Sequence, residues 1–380
     1  MKQILHICSE YSNRPLYSNL VKKLDEQGDA QTVYVPVRRE SDINKHKVNS
    51  TSAVSYQYSY ILNPLLRFFY FQKIKKISRD IIKHISLDKL NVMHAHTLYT
   101  NGGPAYLIKK KTGVPYLVAI RNTDLSVFFK YFPHIRSFGM RILENAEAIV
   151  LIAPSWKEKL KAVVPAEKWS NMDKKLHIIP NAVDDFWHKN SYTQERELPN
   201  NDINLVYVGR FMKKKGLHVL IRALDILNQD KSKYRLTLIG GGGKNDSEIR
   251  RMAEQRSSIQ ILEQMSEEEL LKQYRKADIF AMPSHTETFG LVYIEAMTQG
   301  LPVLYARNEG IDQLFDDGQV GYAARHDNPE DVAQNIRQIE KHYSELSYNA
   351  VKASSDFTWD KIAQKYAQLY LTTINTEHNA

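Results

Sequence analysis

Short apolar, β-branched runs recur along the chain between longer stretches with helical periodicity. In the first half these runs are Gln3–Cys8, Thr32–Val37, Val92–Ala95, Tyr116–Ile120 and Ala148–Ala153. In the second they are Asn204–Val208, Arg235–Ile239, Ile259–Leu262, Ile279–Met282 and Pro302–Tyr305. Between them lie patterns such as Leu217, Leu220, Ile221, Leu224 and Leu227, whose spacing confines them to one helical face. Strands alternating with helices predict parallel sheets covered on both faces. The polar stretch Asp184–Asp202 interrupts the alternation, so the chain divides into two doubly wound α/β units, 1–183 and 204–355, with a linker at 184–203. Ligands in such folds bind at the carboxyl ends of the strands, and the two sheets are expected to turn these ends toward a central cleft.

Composition narrows the class. With 43% hydrophobic and 25% charged residues over 380 positions, the chain reads as an ordinary globular protein, neither disordered nor collagen-like. The single cysteine, Cys8, cannot close an intramolecular disulfide, and no run approaches the ~20 apolar residues of a membrane span. The first apolar run is too short for a secretion signal and meets Glu10, so it reads as a buried strand and the protein as cytoplasmic. Charge is unevenly placed. Residues 1–183 hold 28 Lys+Arg against 14 Asp+Glu, and the rest 24 against 29, within a net charge of +9. The first half is therefore expected to meet something anionic. One stretch there, Leu65–Arg79, is aromatic at one end and basic at the other. It reads either as a helix lying on anionic lipid or as a core helix with a basic solvated face.

Candidate chemistry concentrates in the second half. The run Asn204–Val208 leads into Gly209-Arg210-Phe211 and then Lys213-Lys214-Lys215-Gly216 ahead of a helix. Glycine at a strand–helix junction admits a ligand to the backbone, helix-start amides favour anions, and the cations add charge suited to phosphate. A solvated turn has the same composition. Gly240–Gly243 either lets a ligand approach or forms a tight surface loop, and the G-x-G-x-x-G spacing of a dinucleotide site is missing. The most specific segment is Pro283–Met297. Glu287 falls on the loop after a strand, Phe289, Gly290 and Leu291 open the next helix with free amides, and Glu295 lies further in among Leu291, Ile294 and Met297. A carboxylate so placed needs a partner, which the two vicinal hydroxyls of a ribose or a lysine would supply. Diphosphate at the helix start, ribose at Glu295 and Glu287 facing what lies beyond describe a nucleotide-sugar site.

On these residues the chain resembles the retaining glycosyltransferases of family 4, also called group 1, which have the two-domain GT-B fold. The shared pattern includes Val208-Gly209-Arg210 with Lys215-Gly216, the four glycines, Glu287 and Glu295 as an E-x₇-E pair, and Gly300-Leu301-Pro302-Val303. Pro180-Asn181-Ala182-Val183-Asp184, His94-Ala95-His96 and Gly113-Val114-Pro115 extend it over nearly the whole chain. The resemblance implies that Arg210 and Lys215 hold the donor diphosphate and that Glu295 binds the ribose. Glu287 would contact the sugar, with Thr288, Phe289, Gly290 and Leu291 beside it and Gly209, Gly240 and Gly241 lining the phosphates. It implies a C-terminal helix, 356–380, that completes the first domain, and an acceptor side carried by His96, Arg121, Asn122 and Asp124. Three departures stand out: Ser9–Pro15 lacks the glycines found after the family's first strand, Arg121-Asn122-Thr123-Asp124 replaces a histidine, and Ala182 replaces a glycine. Arg121 pairs either with an anionic acceptor or with Asp124.

The implied reaction moves a sugar from a nucleoside diphosphate, a UDP-sugar being favoured, to a hydroxyl acceptor with retention of configuration. It needs no cofactor and no metal. The acceptor would be a glycan or lipid-linked species of bacterial surface polysaccharide or glycolipid assembly, handled in the cytoplasm or on the inner face of the plasma membrane. Arg210, Lys215 and the helix-start amides would stabilise the departing diphosphate, with Glu287 positioning the sugar. Two rivals are a nucleotide-sugar epimerase or hydrolase of the same fold and a basic nucleic-acid-binding protein. The latter leaves the E-x₇-E segment without a role, so no nucleic acid is expected as partner.

Overall fold

Aliphatic strands enclosed on both faces build two separate parallel sheets in the computed structural model, which describes residues 2–49, 53–199, 202–229 and 233–378. The first sheet comprises β1 (Gln3–Ile7), β2 (Ala30–Val37), β3 (Val54–Tyr60), β4 (Val92–Ala95), β5 (Tyr116–Ala119), β6 (Ala148–Leu151) and β7 (Leu176–Ile178). Its order is β3-β2-β1-β4-β5-β6-β7. The second comprises β8 (Ile203–Gly209), β9 (Tyr234–Gly240), β10 (Ile259–Leu262), β11 (Ile279–Ala281), β12 (Val303–Ala306) and β13 (Gly321–Ala324), in the order β10-β9-β8-β11-β12-β13. The central strands β4, β5 and β6 are buried throughout, as continuous apolar runs in parallel sheets must be. This is the two-domain GT-B fold.

Three strands lie outside the sequence pattern, and all three are sheet edges: β3 and β7 on the first sheet, β13 on the second. Strand β3 reads V-S-Y-Q-Y-S-Y, and Tyr56 and Tyr58 pack only partly buried against Tyr11, Val33 and Val35. Helical elements likewise follow local cues. Asn328 caps the helix Pro329–Lys341 by accepting from the Asp331 amide at 2.8 Å, and Ser266 with Glu269 forms a capping box on Glu267–Lys276.

The chain separates into two compact units, residues 1–152 with 157–180 and 359–380, and residues 153–156 with 181–358. In the first, the helix Trp359–His378 packs on the helix Leu16–Glu26 and on β4, with Lys23 paired to Asp360 at 3.1 Å. In the second, the stretch after Asn181 is held by side chains. Trp187 of the short helix Asp185–Lys189 is 1% exposed, and the Arg196 guanidinium donates to the carbonyls of Gln299 at 2.9 Å and Ala277 at 2.6 Å. Residues 200 and 201, at the end of the expected linker, lie outside the described residues.

Each sheet has one switch point, where strand order reverses. It falls between β1 and β4 in the first sheet and between β8 and β11 in the second. The loops leaving those strands are Cys8–Asn13 and His96–Asn101 in the first unit, and Gly209–Lys215 and Met282–Gly290 in the second. Open α/β sheets bind ligands at such places.

Candidate functional site

At the second switch point the two loops are bound to each other. The turn Lys213–Lys215 ends on Gly216, whose φ of +74° a side chain would strain and whose added Cβ would stand 2.1 Å from the Pro283 carbonyl oxygen. Ser284 Oγ donates to the Lys214 carbonyl at 3.3 Å. Lys215 Nζ donates to Glu287 Oε2 at 2.5 Å, while Glu287 Oε1 accepts from the Thr288 amide at 3.0 Å. Glu287 is 9% exposed, so its pair with Lys215 is partly desolvated. The sequence alone does not join these residues, which stand far apart along the chain.

The backbone around Glu287 is unusually bent. Thr286 has φ +65° and Gly290 φ +85°, and across from them Asn308 and Gly310 have φ +61° and +53°. A β-branched residue in the left-handed region is a true outlier, and such strain persists where surrounding contacts over-determine it. The Gly310 amide donates to the Glu287 carbonyl at 3.3 Å, and Trp156 Nε1 donates to the Thr288 carbonyl at 2.8 Å. Neither contact is visible in the sequence, since Trp156 lies in a segment remote from Thr288. Gly290 caps the helix Leu291–Thr298, which begins two residues further on than a start at Phe289 would give. The amides of Phe289, Gly290 and Leu291 have no partner among the described residues.

Arg210 is exposed, with Nη2 donating to the Gly242 carbonyl at 3.3 Å. Gly209 and Gly240 are paired in register, and a Cβ on Gly240 would stand 2.3 Å from the Gly209 carbonyl oxygen. One on Gly243 would stand 2.0 Å from that of Phe211. Packing of the chain on itself is thus sufficient reason for those two glycines. Gly241, between them, has φ +147°.

Glu295 lies on the helix Leu291–Thr298, largely enclosed, and its carboxylate has neither hydrogen bond nor ion pair among the described residues. The lysine that could have paired it is absent there. Burial pushes its carboxyl up to about 8, and the like charges of Glu267 and Asp184 add to the shift. Glu295 is thus a carboxylate without a protein partner among the described residues, in a largely apolar helix face.

The first unit treats its polar residues differently. Asp124 is buried and accepts from the amides of Arg121 at 2.8 Å, Leu98 at 3.1 Å and Tyr99 at 3.2 Å. Burial pushes its carboxyl up to about 6 against the pull of those amides. Its partners are backbone amides, and the Arg121 side chain instead donates from Nε to the His96 carbonyl at 3.3 Å. Asn122 stands in the turn between them, where its carbonyl accepts from Ser126 Oγ at 2.8 Å. His96 is 2% exposed and belongs to a chain of side chains that sequence reasoning did not join. Gln31 Nε2 donates to the Val21 carbonyl at 3.0 Å, which turns Oε1 to His6 Nε2 at 3.1 Å. His6 Nδ1 then accepts from His96 Nε2 at 3.0 Å. His94 Nδ1 meets the Tyr370 hydroxyl at 2.8 Å. Burial lowers all three imidazoles, His6 to about 4. Among the described residues, His6, His94 and His96 are the one group whose potential metal-ligating atoms lie within 4.8 Å of one another.

Comparison with known proteins bears on the fold and on the second unit. Residues 188–355, nearly all of the second unit, match the family described as glycosyl transferases, group 1. An uncharacterized glycosyltransferase of Methanocaldococcus jannaschii is 25% identical over 88% of this chain and 91% of its own length. A D-inositol 3-phosphate glycosyltransferase of Corynebacterium kroppenstedtii is 26% identical over 76% of this chain and 69% of its own. Among solved structures, the Anabaena protein HepE with UDP and glucose superposes with a TM-score of 0.69 at 15% identity, covering 98% of this chain and all of that one. The fold is the GT-B fold shared with that structure, and the match to the group 1 glycosyl transferase family covers residues 188–355.

Two predictions test the site's internal geometry. Because the Glu295 carboxyl is raised, its contribution to stability is full below the ordinary glutamate range and is lost as pH rises through about 8. Glu295→Gln is therefore expected to raise the melting temperature of the free protein by about 3 °C at pH 9, with the gain fading below pH 6. Scanning calorimetry of both proteins across that range checks it, and parallel curves would show that Glu295 is not enclosed. Asp124→Ala leaves three amides unpaired and is expected to cost about 3 kcal/mol in urea unfolding, at about 1 kcal/mol each.

Proposed function

We propose that the protein transfers a sugar from a nucleoside-diphosphate sugar to a hydroxyl acceptor with retention of configuration. A UDP-sugar is the favoured donor. What supports this reading most is the second switch point, where Lys215, Glu287 and three free amides converge while Glu295 stands unpaired. A ribose would supply the hydroxyl donors that Glu295 lacks, and a diphosphate would take the amides of Phe289, Gly290 and Leu291 together with Arg210 and Lys215. As the diphosphate leaves, its growing negative charge would be met by donors already in place. The transferred sugar would lie against Glu287, and a phosphate oxygen of the leaving group would take the acceptor proton. In this reading no metal ion is required, since lysine, arginine and amides supply the positive charge. The acceptor would be held by the first unit, near Arg121, Asn122 and His96.

Thermal-shift titration with UDP, GDP, ADP and CDP tests the donor side. One nucleotide is expected to stabilise the wild type by several degrees at saturation, with the shift lost in Glu295→Ala and unaltered by EDTA. If none of the four does so, the donor reading fails.

The reading extends to acceptors carried at a membrane in bacterial surface polysaccharide or glycolipid assembly. No described helix is long and apolar enough to cross a bilayer. What supports association at the surface is the segment before and at the start of the helix Tyr70–His84. There Leu65, Phe68, Phe69 and Phe71 are 67%, 78%, 52% and 41% exposed, while Lys75, Lys76, Arg79 and Lys83 line the solvated face. The buried face is Ile74, Ile77 and Ile81, so the helix is both a core helix and a basic amphipathic one. Co-sedimentation is expected to be severalfold stronger with vesicles containing anionic lipid than with phosphatidylcholine alone, and weaker for Phe68→Ser/Phe69→Ser. Equal binding to both vesicles overturns the membrane reading.

A further inference from the structure

Beside the switch point of the first sheet lies an ammonium group with no ion pair among the described residues. Lys73 is 9% exposed, on the helix Tyr70–His84 whose buried residues include Ile74, Ile77 and Ile81. Its Nζ has one partner among the described residues, the Thr100 hydroxyl at 3.3 Å, and no carboxylate within ion-pairing distance. The charges that act on it belong to loops leaving two other strands, Arg38 after β2 and Glu10 after β1. Glu10 is engaged elsewhere, accepting from Asn13 Nδ2 at 3.2 Å. The carboxyl ends of β1, β2 and β4 therefore converge on Lys73, where doubly wound sheets bind ligands.

The surroundings of Lys73 offer donors in excess. Burial, and then the like charge of Arg38, push the ammonium down to about 8. Arg38 is exposed and carries no ion pair among the described residues. In the loop His96–Asn101, Thr97 Oγ1 and Asn101 Nδ2 are buried without partners. The Asn101 amide is nonetheless oriented, since its Oδ1 accepts from the Ser9 amide at 3.1 Å. A buried cation without a close anion is costly, and Glu10, the one carboxylate acting on Lys73, forms no ion pair with it among the described residues. Two cations, a hydroxyl and an amide suit the charge and the three oxygens of a phosphate monoester.

We propose that Lys73, with Arg38, Thr100 and Asn101, forms a subsite for a phosphate group carried by the acceptor. This rests on the reading that the first unit holds the acceptor. It gives that substrate a chemical class, a phosphorylated alcohol, either soluble or lipid-borne.

The test titrates glycerol 3-phosphate, with glycerol as control, into the full chain and into Lys73→Met, and titrates UDP into both. Saturable binding to the wild type is expected, weakened at least about tenfold in Lys73→Met, with UDP affinity unchanged. Methionine keeps the shape and removes the buried charge, so its melting temperature should equal or exceed that of wild type. A lysine that served only the fold through Thr100 would instead give a lowered melting temperature and unaltered phosphate binding, which overturns the proposal. Phosphatidic acid in phosphatidylcholine vesicles, run in parallel, separates the sources. Lysine-dependent binding to these vesicles tighter than to glycerol 3-phosphate assigns a lipid-borne phosphate, and the reverse order a soluble one. If neither probe binds while UDP does, the subsite is refuted and the donor reading stands. If UDP fails while phosphate still binds through Lys73, the donor reading falls alone.

Discussion

The ion pair between Lys215 and Glu287 is the interaction on which the geometry of the second switch point depends. It joins the loop after β8 to the loop after β11, the two segments that flank the switch point of the second sheet. Neither loop is rigid by composition. Each is held where it is by the other, through this pair, the Ser284–Lys214 contact and the close passage of Gly216 under Pro283. Taking both charges partly out of water is expensive, and the mutual attraction offsets that cost only while both partners remain. Loss of either would leave an enclosed charge and release the left-handed residues Thr286 and Gly290 from the contacts that over-determine them.

Against that satisfied pair, the two units each keep a charged group without an ion pair, while several of their other enclosed polar groups are bonded. Asp124 spends its carboxylate on three amides, and the imidazoles of His6 and His96 bond to each other in tautomers set by Gln31. Those networks lock the loops after β4 and β5 in place. Glu295 and Lys73, by contrast, stand beside switch points with spare capacity and shifted ionisation. Their opposite signs match what each unit would meet: hydroxyl donors at Glu295, oxyanion acceptors at Lys73. These two have the character of groups whose partner arrives with the ligand.

Much of this was legible in the sequence, for physical reasons that also set the limit. Apolar runs announce themselves as strands, so β4 and β10 coincide with their sequence runs and others shift by one or two residues. Edge strands β3, β7 and β13 are polar on one face, short or small-residued, and the apolar-run criterion passes over them. The candidate donor residues were found because strand, loop and helix start follow one another within a single short segment, from Ile279 to Met297. The convergence on Lys73 was hidden because it assembles from loops after three different strands and a helix. Read locally, Lys73 is one more lysine in a basic stretch; only burial distinguishes it from Lys75 and Lys76. Trp156 was missed for the same reason, as was the strain at Thr286, which no residue type signals.

The free protein also defines an order of events for the proposed reaction. Lys215 is neutralised by Glu287 before any donor arrives. A diphosphate that takes the ammonium must compete with that carboxylate, and the exchange leaves Glu287 Oε2 without its cation while Oε1 keeps the Thr288 amide. The freed carboxylate oxygen then needs a donor within reach, and sugar hydroxyls are the groups the incoming substrate brings. Phosphate capture and sugar positioning are in this way coupled through one lysine. A nucleoside diphosphate lacking its sugar would pull Lys215 away and leave Glu287 enclosed and unpaired, whereas the intact donor satisfies both. That difference favours the sugar-bearing nucleotide over the product, which is the discrimination a transferase needs to release what remains after transfer.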